Sequence, residues 1–310
     1  MQATFPIIVG SRRSGTTLLR AIFDSHSKVA VANEAHFIVP MARQIRKYER
    51  EGRLERSAFM EHLTRDSGWS RLKLGRDSVE AAIDEETSFV DAVRRVFLLY
   101  AKAQGKSMYG EKTPSYVKHI QLLADLFPEA RFLHMVRDGR DVSASTLEAP
   151  FGPTTMTEAA WAWREAVVRG RRQGKPLGTS RYHEIRYEEL VANPIDVVKR
   201  ASNFAGIEFE DQMLDYHRRA TELLTFTGRP GSHKRLGEPP SKNREWRTQM
   251  KPADLMAFEA IAGRTLEEFG YSRAYPESAF KQAVSAASSG VRWKLKRIRY
   301  ARRRARKLSR

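Results

Sequence analysis

The chain has 310 residues, 41% of them apolar, enough for one large α/β core or at most two. It has no cysteine, which excludes disulfides and thiolate chemistry. No apolar run reaches the roughly 18 residues of a membrane-spanning helix. Net charge is +18 and uneven: from Pro276 onward twelve Lys/Arg face one acid, Glu277, so this tail carries +11 and the first 275 residues +7.

Phe5 to Val9 is a short apolar, β-branched run, long enough for a buried strand. Gly10 and Gly15 bracket the loop that follows, and Thr16, Thr17, Leu18 and Leu19 open a helix. A strand, a glycine-bracketed loop and a helix N-terminus make an anion cradle, because loop amides and the helix dipole point the same way. The spacing nearly matches the nucleotide-triphosphate loop G-x-x-x-x-G-K-[ST]. Thr16 stands where that loop carries its lysine, and Arg12 and Arg13 lie inside the loop instead. A phosphate-type anion is expected here, other than the β,γ-phosphate of magnesium ATP.

Lys28 to Ala32 reads as a second strand ending at Asn33-Glu34, with a helix from His36 to Tyr48. Residues just past the C-termini of parallel strands face the ligand. Glu34 is at such a point, and a carboxylate beside an anion loop is unfavourable unless it has a task such as taking a proton. Residues 49–85 are charge-dense and glycine-punctuated, an expected helical insertion or lid. Glu86 to Gln104 is amphipathic, with Phe89, Val93, Val96, Phe97 and Tyr100 on one face. Met108-Tyr109 is a brief strand leading to Lys112, and a helix starts near Ser115.

Arg131 to Val136 is the next clear strand. Arg137 stands at its tip, and Ser145 lies two turns into the following helix, a second oxyanion site distinct from the first. Thr157 to Arg172 reads as a long helix, Arg181 to Arg186 as the last strand, and Pro194 to Ala205 as a helix closed by Gly206. Gly228 to Arg244 is a basic loop rich in Gly and Pro, the expected lid. Ala253 to Phe269 is the last helix of the body. The expected fold is therefore α/β: a P-loop-type parallel sheet of about five strands with helices on both faces. The body runs over 1–275, and 276–310 form a linker and basic tail. From Val291 to Arg310, eleven of twenty residues are Lys or Arg and none is acidic. Val291, Leu295, Ile298, Ala301, Ala305 and Leu308 recur at helical spacing.

Four segments together resemble the sulfotransferase superfamily that uses 3′-phosphoadenosine 5′-phosphosulfate (PAPS), on the branch holding tyrosylprotein sulfotransferases and bacterial relatives. They are RSGTTLLRAIFDSH at Arg13 to His26, EKTP at Glu111 to Pro114, LFPEARFLHMVRDGRDVSAS at Leu126 to Ser145, and RYEEL at Arg186 to Leu190. The resemblance implies that Arg12, Arg13, Ser14, Gly15, Thr16 and Thr17 hold the 5′-phosphosulfate, with Arg13 on its bridging and sulfuryl oxygens. It implies that Lys112 steadies the leaving phosphate, that Arg137 and Ser145 grip the 3′-phosphate, and that Tyr187 lies near the nucleotide. Glu34 falls where this branch places its general base. A late lysine of the family has two candidates, Lys234 and Lys242.

The chemistry agrees with these assignments. Charge gathers on the departing oxygen in sulfuryl transfer, so cations and amides there stabilise the transition state. A carboxylate that removes the acceptor proton contributes typically 10²–10⁴-fold. The sequence reading is thus a PAPS-dependent sulfotransferase that releases adenosine 3′,5′-bisphosphate and needs no metal. The residues around His36, an expected acceptor contact, differ from the protein-tyrosine branch, which counts against a tyrosine acceptor. A saccharide or glycolipid hydroxyl is expected, though the same base and donor site would also serve a phenol. The alternatives are a P-loop small-molecule kinase, opposed by Thr16, and a nucleic-acid-binding protein, opposed by confinement of the basic excess to the tail. A chain that enters its first strand at Phe5 without a leader, and lacks cysteine, is expected to be cytoplasmic. The tail is expected to dock it on an anionic membrane face.

Overall fold

Strand β1, Phe5–Gly10, is out of solvent along its whole length, as the run FPIIVG requires. In the computed structural model, which describes residues 4–84, 86–149, 152–219 and 245–276, it is the middle strand of a five-stranded parallel sheet. The others are β2 (Val29–Asn33), β5 (Met108–Lys112), β6 (Ala130–Val136) and β7 (Tyr182–Arg186), in the order β2-β5-β1-β6-β7. Side chains alternate across a strand, so β1 feeds two cores. Phe5 packs edge-on against Tyr109 and Phe127 and beside Phe97 of helix α6, Phe89–Lys102. Ile8, on the other face, joins Leu19, Ile22 and Phe23 of α1 (Thr16–Asp24) and Val198 and Ala201 of α11 (Pro194–Ala205). Helices therefore cover both faces, as expected.

The buried Arg20 and Asp24 dock α1 onto β2: Arg20 Nε donates to the Val31 carbonyl at 2.8 Å, and Asp24 Oδ1 accepts the Val31 amide at 2.8 Å. Between β2 and α6 run α2 (Ile38–Ala42), the hairpin strands β3 (Glu49–Arg50) and β4 (Arg53–Leu54), and helices α3 (Arg56–Arg65), α4 (Trp69–Leu72) and α5 (Arg76–Ala82). The remaining helices are α7 (Ile120–Leu126), α8 (Gly139–Leu147), α9 (Met156–Gly174), α10 (Tyr187–Ala192), α12 (Trp246–Gln249) and α13 (Pro252–Glu268).

The chain makes two compact units. One comprises Met1–Gly10, Gly15–Val136 and Arg169–Lys242 and contains the sheet. The other comprises Ser11–Ser14, Arg137–Val168 and Asn243–Arg310. In the second, Arg140 is 1% exposed and joins Asp138 at 2.7 Å, Glu259 at 2.8 Å and the Ser272 carbonyl at 2.9 Å, with its guanidinium 3.5 Å from the Trp246 ring centre.

Two expectations shift. The helix over His36 to Tyr48 is only the five residues of α2 and then a 3₁₀ turn at Ile45–Lys47, because Gln44 leaves the helical region at φ −128°. Strand β5 runs on past Tyr109, so Lys112 is its last residue and lies inside the sheet ladder opposite Ile8 and Asn33. The loop Gly228 to Arg244, with Lys234 and Lys242, and the tail from Glu277 lie outside the described residues. Among the described residues, no helix is long and apolar enough to cross a membrane.

Candidate active site

In the sheet-bearing unit, β2 and β5 are register partners, Asn33 opposite Lys112, and this pairing delivers Glu34 to the lysine. Lys112 Nζ lies 3.0 Å from Glu34 Oε1, and His36 Nε2 lies 3.5 Å from Oε2. The lysine side chain is 1% exposed and the carboxylate 38%. Burial alone raises the Glu34 pKa. The His36 hydrogen bond and the charge and hydrogen bond of Lys112 outweigh it and hold the group well below the ordinary 4.5. Burial pulls the Lys112 pKa down, and the Glu34 carboxylate opposes that shift. The arrangement is an ionised carboxylate with an open side toward water, backed by a buried cation.

Glu34 sits at φ +57°, a left-handed conformation uncommon for a residue with a Cβ. Such residues cluster where the surrounding structure holds them for a purpose. Glu111, one position before Lys112, is fully buried and accepts the Ala35 amide at 3.2 Å and the Thr113 hydroxyl. Burial pushes its pKa up to about 8 against the Thr113 hydrogen bond.

The loop between β1 and α1 has the backbone of an anion nest. Arg13 and Gly15 are both left-handed, at φ +67° and +98°, and the Ser14 amide between them donates to the Ser11 carbonyl at 3.2 Å. Helix α1 begins at Thr16 with no side-chain cap and no acid in its first turn, leaving its N-terminal amides to a ligand. A Cβ at Gly15 would come 2.5 Å from Tyr187 Cδ2, so the tyrosine ring lies against the loop's glycine. Thr16 is buried, and Thr17 is half-buried. The Ser14 hydroxyl donates to the Ser11 carbonyl at 2.6 Å and braces the loop.

In the second unit, Arg13 Nε donates to Ser145 Oγ at 2.9 Å, and Arg137 Nη1 donates to the Arg13 carbonyl at 3.4 Å. The sequence reading separates these groups, with Arg13 at the first anion and Ser145 with Arg137 at the second. Here Arg13 itself reaches Ser145, and Arg137 braces the Arg13 backbone. Arg12 is exposed. The supports were not read from the sequence: Asp141 stands 3.9 Å from the Arg137 guanidinium, and Trp163 Nε1 donates to the Arg137 carbonyl at 3.1 Å. Asp138 caps α8 through the Arg140 amide. Two arginines and a hydroxyl gathered in this unit are a donor set suited to an anionic oxygen group such as a phosphate.

A family model described as "Sulfotransferase family" matches residues 6–211. The chain belongs to the sulfotransferase family. The stretch matched by the sulfotransferase model contains Arg13, Glu34, Lys112, Arg137, Ser145 and Tyr187. Protein-tyrosine sulfotransferase 2 of Gallus gallus is 29% identical over 239 residues, covering 72% of this chain and 55% of its own length. The protein-tyrosine sulfotransferase of Drosophila melanogaster is 26% identical over 267 residues, 83% of this chain and 46% of its own. The chain thus spans about half the length of these curated relatives. Two solved structures share the fold. The sulfotransferase domain of the Synechococcus PCC 7002 olefin synthase has TM-score 0.59 and 22% identity, over 88% of this chain and 95% of that one. The sulfotransferase domain from the curacin biosynthetic pathway has TM-score 0.58 and 18% identity, over 87% and 99%.

Proposed function

We propose that the protein transfers a sulfuryl group from PAPS to an acceptor hydroxyl, with Glu34 as general base. The observation that carries this reading is the 3.0 Å pair of Glu34 and the buried Lys112. PAPS, when bound, supplies the sulfuryl group and a nucleotide leaving group. Glu34 takes the hydroxyl proton as the acceptor oxygen bonds to sulfur. Lys112 and Arg13 meet the negative charge that gathers on the departing bridging oxygen as its bond to sulfur breaks. The amides of the Arg13–Thr17 loop hold the 5′ end. Arg137 and Ser145 hold the 3′-phosphate, and Tyr187 contacts the nucleotide. None of these roles requires a metal ion, unlike the kinase alternative.

Two acceptor classes follow from different observations. The departures around His36 and the basic tail favour a saccharide or glycolipid hydroxyl at a cytoplasmic membrane face, where the tail would contact anionic lipid. The low basicity of Glu34 favours a phenol, whose pKa near 10 lies far below the roughly 15.7 of water. The names of the protein-tyrosine sulfotransferase relatives point the same way. The test is mass spectrometry after incubation with ³⁴S-labelled PAPS and either a tyrosine peptide or a saccharide mixture. Label on a hydroxyl of either acceptor supports sulfuryl transfer and chooses between them. Label released only as free sulfate, with these acceptors and a host extract alike, overturns it.

A further inference from the structure

The backbone at Asn33 to Ala35 is held at five consecutive polar groups. Arg71, on α4 of the insertion, donates Nε to the Asn33 carbonyl at 3.0 Å and Nη2 to the Glu34 carbonyl at 2.9 Å. The Glu34 amide donates to the Lys112 carbonyl at 2.8 Å. The Ala35 amide donates to Glu111 Oε1, and the Ala35 carbonyl accepts from the Tyr116 hydroxyl. We propose that Arg71 is the positioning residue for Glu34, its fork clasping two successive carbonyls so that the left-handed turn presents the carboxylate to Lys112 and His36. The proposal rests on the reading of Glu34 as the base, and it gives the segment that carries α4 a role at that residue.

Three features support it. A glutamate at φ +57° relaxes toward ordinary backbone unless its neighbours prevent it. A guanidinium supplies donors in a rigid fork that spans adjacent carbonyls, whereas a lysine ammonium is a single point. And Gly68, three residues before Arg71, packs so closely that a Cβ there would lie 2.5 Å from the Glu34 carbonyl oxygen and 3.2 Å from Ala35 Cα. Its own φ is −87°, so closeness rather than backbone freedom requires the glycine. The insertion therefore touches the base-bearing turn through a fork and a bare backbone.

The test uses the full chain labelled with ¹³C-glutamate, the Glu34 carboxyl signal being assigned by its loss in Glu34→Gln. Charged or titratable groups facing this carboxyl are Lys112, His36 and, through the backbone, Arg71 and Glu111. In the wild type the signal titrates below the ordinary 4.5. In Arg71→Lys, and in Gly68→Ala as the second variant, it moves toward 4.5 because the Lys112 and His36 contacts loosen. Turnover of PAPS with phenol as acceptor falls about tenfold in kcat, while affinity for adenosine 3′,5′-bisphosphate stays within about twofold. In the Glu34→Gln background, Arg71→Lys adds no further loss, as expected of a residue acting through Glu34. An unmoved Glu34 titration in both folded variants, or an equal loss from Arg71→Lys with and without Glu34, overturns the proposal. A moved titration with undiminished turnover in Glu34→Gln instead overturns the base assignment and leaves the anchoring of the turn standing.

Discussion

Lys112 Nζ and Glu34 Oε1 stand 3.0 Å apart, joining the last residue of one strand to the first residue beyond its neighbour. The lysine is sealed from water and the carboxylate is not, so the pair is a buried cation with a water-facing partner. It keeps Glu34 ionised and limits its basicity while both stay in contact.

Glu34→Gln should leave affinity for adenosine 3′,5′-bisphosphate within about twofold and cut turnover about 10²-fold or more, as for a lost general base. Its pH signature is equally specific. The base form of a carboxylate with a depressed pKa persists as pH falls through 4.5, so the acid limb of kcat/KM, which reports the free enzyme, lies below that value. Lys112→Ala removes one of the groups that depress the pKa and moves the limb upward. A limb unmoved by Lys112→Ala would break the link between the two residues.

Arg137→Ala should act on the nucleotide rather than on turnover. Its signature is selectivity: the wild type prefers adenosine 3′,5′-bisphosphate over adenosine 5′-phosphate, and the variant loses about 10- to 100-fold of that preference, the worth of one charge-assisted contact. Calorimetry with the two ligands measures it. Equal weakening of both would assign Arg137 to bracing the Arg13 carbonyl alone.

Glu111 makes stability pH-dependent in a direction opposite to most carboxylates. Below 4.5 its folded and unfolded forms are both protonated. Between 4.5 and about 8 the folded carboxyl keeps a proton that the unfolded one has lost, so stability falls as pH rises across that window. Glu111→Gln removes this dependence. The advantage of the variant in denaturant melts should grow with pH, with a slope approaching about 1.4 kcal/mol per pH unit. A constant difference from pH 5 to 8 would contradict the raised pKa.

Much of this was legible in the sequence because the chemistry sits at strand tips. Glu34 and Lys112 stand at the ends of two apolar runs that read as strands, so parallel pairing of those strands brings the two together. The glycine-bracketed loop after β1 was legible for the same reason. Contacts made through backbone atoms were not. Arg71 reaches two carbonyls, and no side-chain pattern in the charge-dense stretch 49–85 marks one arginine among many for that task. The Arg140–Glu259 pair joins residues far apart in the chain, and local spacing carries no sign of it. The break in the helix after Ala42 was missed because the polar run at Arg43 to Lys47 still looks helical by composition.

The basic tail, outside the described residues, makes a separate prediction. Each basic residue near an anionic surface contributes about 1 kcal/mol, so the full chain should co-sediment with phosphatidylglycerol vesicles and a chain ending at Glu277 should not. Equal pelleting of the two removes the membrane proposal and leaves the catalytic one untouched.

The central claim is tested most directly by calorimetry of the full chain with adenosine 3′,5′-bisphosphate in EDTA. The account predicts saturable one-to-one binding without metal, lost in Gly15→Arg, whose side chain would clash with Tyr187 and strain the left-handed turn of the loop. Absence of binding under these conditions, together with clear binding of magnesium ATP, would contradict it.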